Sequence, residues 1–407
     1  MKKLLNILRA WKLPVAMVAG AMVYYIIRAL PLTDGEEDAL YYVITHYVQP
    51  GLIFAMLFLS FLRVSLHDLM PHRWHAVLLT VQGSLFIICS LAACGWDHLV
   101  QAQGLTATAQ SITATAQGIT ATAQGLTATA QGLTATWHGI DVHELKLLME
   151  AAMLCFICPT ATASAVIVRK LGGSLSGIVT YILLVNLMVA IIAPVFLPLV
   201  EPHGGMGFMT EFTLIIGKVF PLLLCPLLLA MVVRYYAPHL TERLLLHADL
   251  PFYLWLIALP LAITVTVRTI YDSHVSLGVL LGMCLVSLVC CVLQFWMGRN
   301  IGSRWVEPTK APSEVNRFAD TSEANTPAPY ITANTPAPYI TAVERSAITA
   351  GQAFGQKNTV FVIWLGLMFL NPVTSVVGGC YSIWHNIINA WQLHEKAKRD
   401  AQSLNAA

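Results

Sequence analysis

Ten windows of about 20 apolar residues recur along this 407-residue chain, each long enough to cross a hydrocarbon layer about 30 Å thick as a helix. They cover 11–30, 46–64, 73–94, 143–169, 174–199, 210–236, 249–270, 274–298, 346–370 and 372–393. Lipid offers no partner to a backbone N–H or C=O, so windows of this length can only be helices. Charged residues make up 11% of the chain, where a soluble domain carries about 25%, and the mean hydropathy is +0.68. The expected fold is all-α and integral to the membrane, with the lipid bilayer as its first partner. A net charge of +2 gives no ground for nucleic-acid binding. All nine cysteines fall in or at the ends of apolar segments, as small buried hydrophobes do. Cys155-x-x-Cys158 has metal or redox spacing but no second pair beside it in sequence.

Lys and Arg set the expected orientation, because cytoplasmic loops carry their excess. Lys2, Lys3 and Arg9 precede the first span, Lys12 lies at its start, and the acidic run Asp34-Gly35-Glu36-Glu37-Asp38 follows it. Every even-numbered span then ends in a basic patch, with residues at or just past its end: Arg63 and Arg73, Arg169 and Lys170, Arg234 and Arg243, Arg299 and Arg304, Lys396 and Lys398. Arg268, near the outer end of span seven, is the exception. Both termini are expected in the cytoplasm of a multi-pass protein of the cell membrane. The first span is read as an uncleaved helix, since no small-residue cleavage site follows it. Ten spans divide into two halves of five, and an odd-numbered half reverses its orientation between copies. Two inverted five-helix repeats are therefore expected: 1–199 first, then 200–299 (spans six to eight) and 346–407 (spans nine and ten with the tail).

Two insertions stand apart from the spans. Residues 101–138 hold five near-copies of Leu-Thr-Ala-Thr-Ala-Gln-Gly. Thr twice per repeat and a recurring Gly each disfavour helix by several tenths to about 1 kcal/mol relative to Ala. A mobile or weakly helical low-complexity loop on the outer side is expected, with a helical hairpin as the other reading. Residues 300–345 contain Ala-Asn-Thr-Pro-Ala-Pro-Tyr-Ile-Thr twice, at 324–341, which reads as a cytoplasmic proline-containing tether.

The fourth and ninth spans break in the middle into polar runs, Cys158–Ser164 and Gly351–Thr359. Broken helices at matching positions of two halves are the best sequence pointer to a transporter's binding site. Each break would expose a half-helix N-terminus carrying about half a positive charge, which favours an anionic group. The neighbouring half-helix C-termini would offer carbonyls to a cation. Thr160, Thr162, Ser164, Asn358 and Thr359 supply short polar side chains at that depth and are the candidate substrate-binding residues. A kinked helix with its hydroxyls bonded back to the preceding turn is the plainer reading of either break alone.

Cys158-Pro159-x-x-Thr162-Ala163-Ser164, Gly355-x-x-Asn358 and Ser382-Ile383-Trp384-His385-Asn386 together resemble the bile acid:sodium symporter family, and Gln82 falls where that family usually has a glutamine. The resemblance covers most of the chain outside the two insertions. It implies a panel domain and a core domain, with spans four and nine discontinuous and crossing at their unwound centres. It also implies carriage of an organic anion, bile-acid-like or a small carboxylate, by alternating access.

The chain departs from the sodium-coupled members at the ion ligands. Ala165 stands where they have Asn after the serine. Ala353 and Lys357 stand at the Glu and Gln of their Glu-x-Gly-x-Gln-Asn run. An ammonium within about 4 Å of a sodium ion would cost on the order of 4 kcal/mol at an effective dielectric near 20. Gln82, Ser164 and Gln356 are neutral and do not offset that, so sodium coupling at these positions is not expected. Lys357 could instead occupy the place of the ion, or load and release a proton in each cycle. Glu150, two turns before Cys158, is the other candidate proton site. Lys218 and Arg268 are expected to snorkel, Asn186 to bond between helices, and His385 and Asn386 to pack the core. His67, His72 and His75 share one loop with no Cys or Glu to complete a metal site.

A secondary transporter is the leading expectation, and a non-transporting receptor or sensor on the same fold is the alternative. No His-Glu-x-x-His or paired catalytic aspartates occur in the spans, so an enzyme is not expected, and no cofactor is implied.

Overall fold

The computed structural model describes residues 12–62, 69, 71–117, 136–137, 140–202, 205–246, 250–273, 275–306 and 340–406. The described chain is helical apart from one two-residue antiparallel pairing, β1 (Thr136–Trp137) with β2 (Ile140–Asp141). In order the helices are α1 (Lys12–Ala29), α2 (Asp34–Val43), α3 (Gln49–Leu62) and α4 (Arg73–Gln117). After the β pairing come α5 (Val142–Ile157), α6 (Ser164–Leu171), α7 (Leu175–Val200), α8 (Phe208–Tyr236), α9 (Pro238–Leu246), α10 (Leu250–Ser273) and α11 (Leu277–Arg304). The last are α12 (Ala342–Gly355), α13 (Thr359–Phe369), a 3₁₀ turn (Pro372–Ser375) and α14 (Val376–Ala406). Six helices are long and apolar enough to cross a membrane: Asp34–Leu62, Arg73–Trp96, Leu175–Val200, Phe208–Tyr236, Tyr253–Ser273 and Leu277–Arg304. That is the make-up of a multi-pass membrane protein.

Local chemistry explains where these helices start. Thr33 and Glu36 form a reciprocal cap: the Thr33 N–H and hydroxyl donate to the Glu36 carboxylate, and the Glu36 N–H donates to Thr33 Oγ1. A π turn, Ile44–Val48, carries α2 into α3 without interruption. Ser174, Ser276 and Thr341 cap α7, α11 and α12 through their hydroxyls.

Helices α11 and α12 make the most extensive helix pairing among the described residues. Gly298 and Gly302 of α11 allow it, because a Cβ on either would collide with the backbone carbonyl of Ala350 or Ser346. Helix α1 lies on α10, where the Thr264 hydroxyl donates to Gly20 O at 2.8 Å.

The first part of the heptad insertion is helical, which the weakly helical and helical-hairpin readings both allow. Helix α4 runs on from the apolar span through residues 105–117, and 118–135 lie outside the described residues. Two features favour the helix there. The apolar span has already nucleated it, leaving only propagation to be met. Ser111 replaces the repeat's Gly, so 105–117 contain no glycine. The paired nonapeptide falls almost wholly outside the described residues, as does His67.

Candidate functional site: the crossing of two broken helices

Pro159 cannot donate a backbone N–H, and α5 ends two residues before it. The chain runs extended from Cys158 to Ala161, turns, and resumes as α6 at Ser164. The second interruption has no proline. Helix α12 ends at Gly355, against which the ring of Phe295 is packed so closely that a Cβ has no room. Gln356, Lys357 and Asn358 are non-helical, and Asn358 caps α13 by accepting from the Phe361 N–H at 3.3 Å.

The two interruptions meet. Thr160 and Lys357 form an antiparallel bridge, flanked by the Ala161 N–H donating to Gln356 O (3.0 Å) and the Asn358 N–H donating to Pro159 O (2.9 Å). Each break thus satisfies backbone groups freed by the other, which is how irregular backbone is tolerated inside a buried helical layer.

Side chains from the surrounding helices take the carbonyls at the ends of α5 and α12. Gln82 of α4 donates its amide to Phe156 O (2.9 Å) and Cys158 O (3.1 Å), while its own oxygen accepts from Tyr181 (2.8 Å). Gln294 of α11 donates to Cys155 O, and Tyr381 of α14 donates to Gly355 O. The Thr160 hydroxyl donates to Ala353 O at 2.5 Å and the Cys158 thiol to Asn358 O at 3.1 Å. Five carbonyls at these half-helix ends, those of Cys155, Phe156, Cys158, Ala353 and Gly355, are therefore bonded to protein donors.

Of the candidate residues, Thr160, Gln356, Lys357, Asn358 and Gln82 belong to this one network. Ser164 bonds back to Ala161 O at 2.6 Å, and Thr162 is half-buried at the turn. Thr359 opens α13 with a buried hydroxyl that has no partner. Glu150 is elsewhere: fully buried on α5, 3.7 Å from Lys146 Nζ, which lies 2.7 Å from Glu201. Asn186 is buried with both amide atoms unpartnered, so the expected bond between helices is not made. His385 packs edge-on to Tyr381, and His75 is held by Gly177 O at 2.9 Å. Lys218 lies over the Phe369 ring at 5.8 Å. Among the described residues no group of three or more His, Cys, Asp or Glu could hold a metal ion.

Lys357 is the exception in the network. It is 1% exposed, and its ammonium has no hydrogen-bond partner. The nearest compensation is the Phe354 ring, 5.0 Å from Nζ, with the thiols of Cys155, Cys158, Cys290 and Cys291 within electrostatic reach. A cation–π contact is worth about 0.5–2 kcal/mol. Taking an ammonium out of water costs several kcal/mol. The crossing therefore has an uncompensated demand for an anionic or strongly accepting group.

Gln294, Tyr181 and Tyr381 were not singled out in the sequence. Gln294 could have been, as a lone amide in the apolar window 274–298. The tyrosines carry no such signal, because each reads equally well as lipid-facing or core. No protein-family model and no curated protein matches the chain.

Proposed function

We propose that this protein is a secondary transporter for an organic anion, working by alternating access across ten spans arranged as two inverted five-span halves with both termini cytoplasmic. The observation that carries the reading is the antiparallel meeting of two helix breaks around the partnerless ammonium of Lys357. Crossed half-helices bury backbone that lipid would reject, and membrane proteins keep such backbone where it meets a polar cargo or cavity. The buried cation supplies a fixed positive charge at that depth, which suits an anion.

Sodium is not the coupling ion in this proposal. Ala165 and Ala353 bring no side-chain ligand to the positions that matter in the family resembled, and five carbonyls at the ends of α5 and α12 are already bonded to Gln82, Gln294, Thr160 and Tyr381. Lys357 takes the ion's place, either as a permanent charge or as a carrier of a proton. The test is uptake of labelled carboxylates, cholate and small acids among them, into proteoliposomes under imposed sodium and proton gradients. Sodium-independent uptake that Lys357→Gln abolishes is the expected result. Strictly sodium-dependent uptake that survives Lys357→Gln would refute the role given to Lys357.

A receptor reading has one observation in its favour. Helix α4 is 45 residues long, about 68 Å at 1.5 Å per residue, and so extends far beyond a bilayer about 30 Å thick. Binding of a carboxylate with no uptake would select that reading.

A further inference from the structure

The molecule has a second polar feature that the crossing does not use. A cleft of about 560 Å³ opens between α2 with its π turn, α10, and the corner from α13 into the 3₁₀ turn. No residue of either break lines it. Its lining combines apolar Val265, Leu367, Met368 and Pro372 with Asp38, Tyr41, His46, Arg268 and Asp272.

Arg268 is the fixed member of this lining. Its side chain is 23% exposed, and its guanidinium carbon lies 4.2 Å from the centroid of the Tyr41 ring. It bonds Asp38 through one terminal nitrogen and Asp272 through Nε at 3.2 Å. Those carboxylates are solvated, at 68% and 51% exposure, and exposed ion pairs of this kind contribute only about 0–1 kcal/mol. An incoming anion can therefore replace Asp38 on the guanidinium at little cost. Beside it, Tyr41 is 3% exposed, yet its hydroxyl has no partner. A buried hydroxyl left unbonded is costly, and a ligand oxygen would satisfy it. The π turn that brings Thr45 and His46 to the lining is a distortion found mostly at functional sites.

We infer that this cleft is a second binding site, for an amphipathic monoanion, in which Arg268 and the Tyr41 hydroxyl bind the carboxylate, Asp38 holds the guanidinium when the site is empty, and Val265, Leu367, Met368 and Pro372 take the apolar body. Guanidinium and phenol together present N–H and O–H donors to one acidic group, a stronger arrangement than either alone. The volume lies within the roughly 300–1,000 Å³ range of small-molecule sites. On the proposed transport reading the cleft lies at the end marked by Asp34–Asp38, where it would capture substrate before the crossing receives it. The binding claim itself is independent of transport.

The test is photolabelling of the full-length protein in phosphatidylcholine nanodiscs, using dodecanoic acid with a diazirine at its chain end and locating the label by mass spectrometry. Label is expected on Leu367, Met368 or Pro372, displaced by decanoate but not by decanol or decylammonium. Tyr41→Phe keeps the ring under Arg268 and removes only the hydroxyl, so it should weaken labelling about tenfold without disturbing the fold. Asp38→Asn removes the competing carboxylate and should strengthen labelling by up to about fivefold. Arg268→Gln should abolish it. Equal displacement by decanol, or labelling indifferent to Tyr41→Phe and Asp38→Asn, would overturn the inference. So would displacement by phosphatidylglycerol but not by decanoate, which would assign the cleft to a lipid. Cleft labelling without uptake would defeat the transport proposal and leave this one standing, whereas uptake without labelling would do the reverse.

Discussion

The two breaks meet at one point, yet their polar groups are in opposite states. In the first, the Cys158 thiol, the Thr160 hydroxyl and the Ser164 hydroxyl each have a backbone acceptor. In the second, Gln356 Oε1, Lys357 Nζ and Thr359 Oγ1 are buried within four residues of one another and have no partner, the first lacking a donor and the other two an acceptor. The first break is held open by Pro159, which can never donate, so its surroundings are built to stabilise it permanently. The second has no proline and is shaped by packing against Phe295 and by the Asn358 cap. Satisfied groups hold a structure in place, and unsatisfied ones leave donors and acceptors that a ligand can meet. On the transport proposal, this comparison makes the first break the scaffold and the second the working surface. The two should respond to mutation in different ways: loss of stability at the first, loss of uptake at the second.

The largest effect is expected at Gln82, whose amide stabilises the first break from α4. Gln82→Leu would strand Phe156 O, Cys158 O and the Tyr181 hydroxyl together. At about 1–3 kcal/mol for each stranded group, the loss should exceed about 3 kcal/mol. A maleimide dye reports it directly, because Cys155, Cys158, Cys290 and Cys291 are buried and become reactive on unfolding. An unfolding temperature unchanged from the parent would remove the scaffold role.

Lys357→Met should act with the opposite sign. Replacing a buried charge by an apolar side chain of similar length is neutral or stabilising, by up to about 4 kcal/mol. On the transport proposal, uptake should nonetheless fall by at least about tenfold, since the charge proposed to face the anion is gone. A protein both destabilised and fully active would reverse the comparison at its central residue.

Thr160→Val is the intermediate case. It leaves Ala353 O without its donor, which should cost about 1–3 kcal/mol while uptake per folded molecule stays near parental. A selective loss of uptake at full stability would move Thr160 from scaffold to substrate contact, which is where its sequence position alone had placed it.

How much could be read in advance depended on whether a residue's neighbours were local. The helical windows were legible because lipid enforces internal hydrogen bonding along each segment, and the break at Pro159 because proline lacks a donor wherever it sits. The reason Gln82 matters was not legible. Its partners Phe156, Cys158 and Tyr181 lie 74 to 99 residues away in sequence, and only the packed helices bring them together. Arg268 looked like a stray basic residue in the charge pattern, because its stacking on Tyr41 is a tertiary contact. The heptads left loop and helix both open. The repeat unit includes a glycine, but the stretch that continues α4 is the one in which Ser111 has replaced it.

Thr359 offers the smallest and most discriminating test. Val is close in shape to Thr, so Thr359→Val removes a hydroxyl and little else. Where that hydroxyl is bonded to protein, as at Thr160, its partner is stranded and stability falls. Where it is buried with no partner, as at Thr359, the substitution discards an unsatisfied group and should leave stability within about 0.5 kcal/mol of the parent, or raise it. Uptake should then fall through a raised KM, by about tenfold if the hydroxyl donates to the anion in transit. Matching losses of stability at Thr160→Val and Thr359→Val would mean that the two breaks do the same structural work, and the distinction between scaffold and working surface would fall with them.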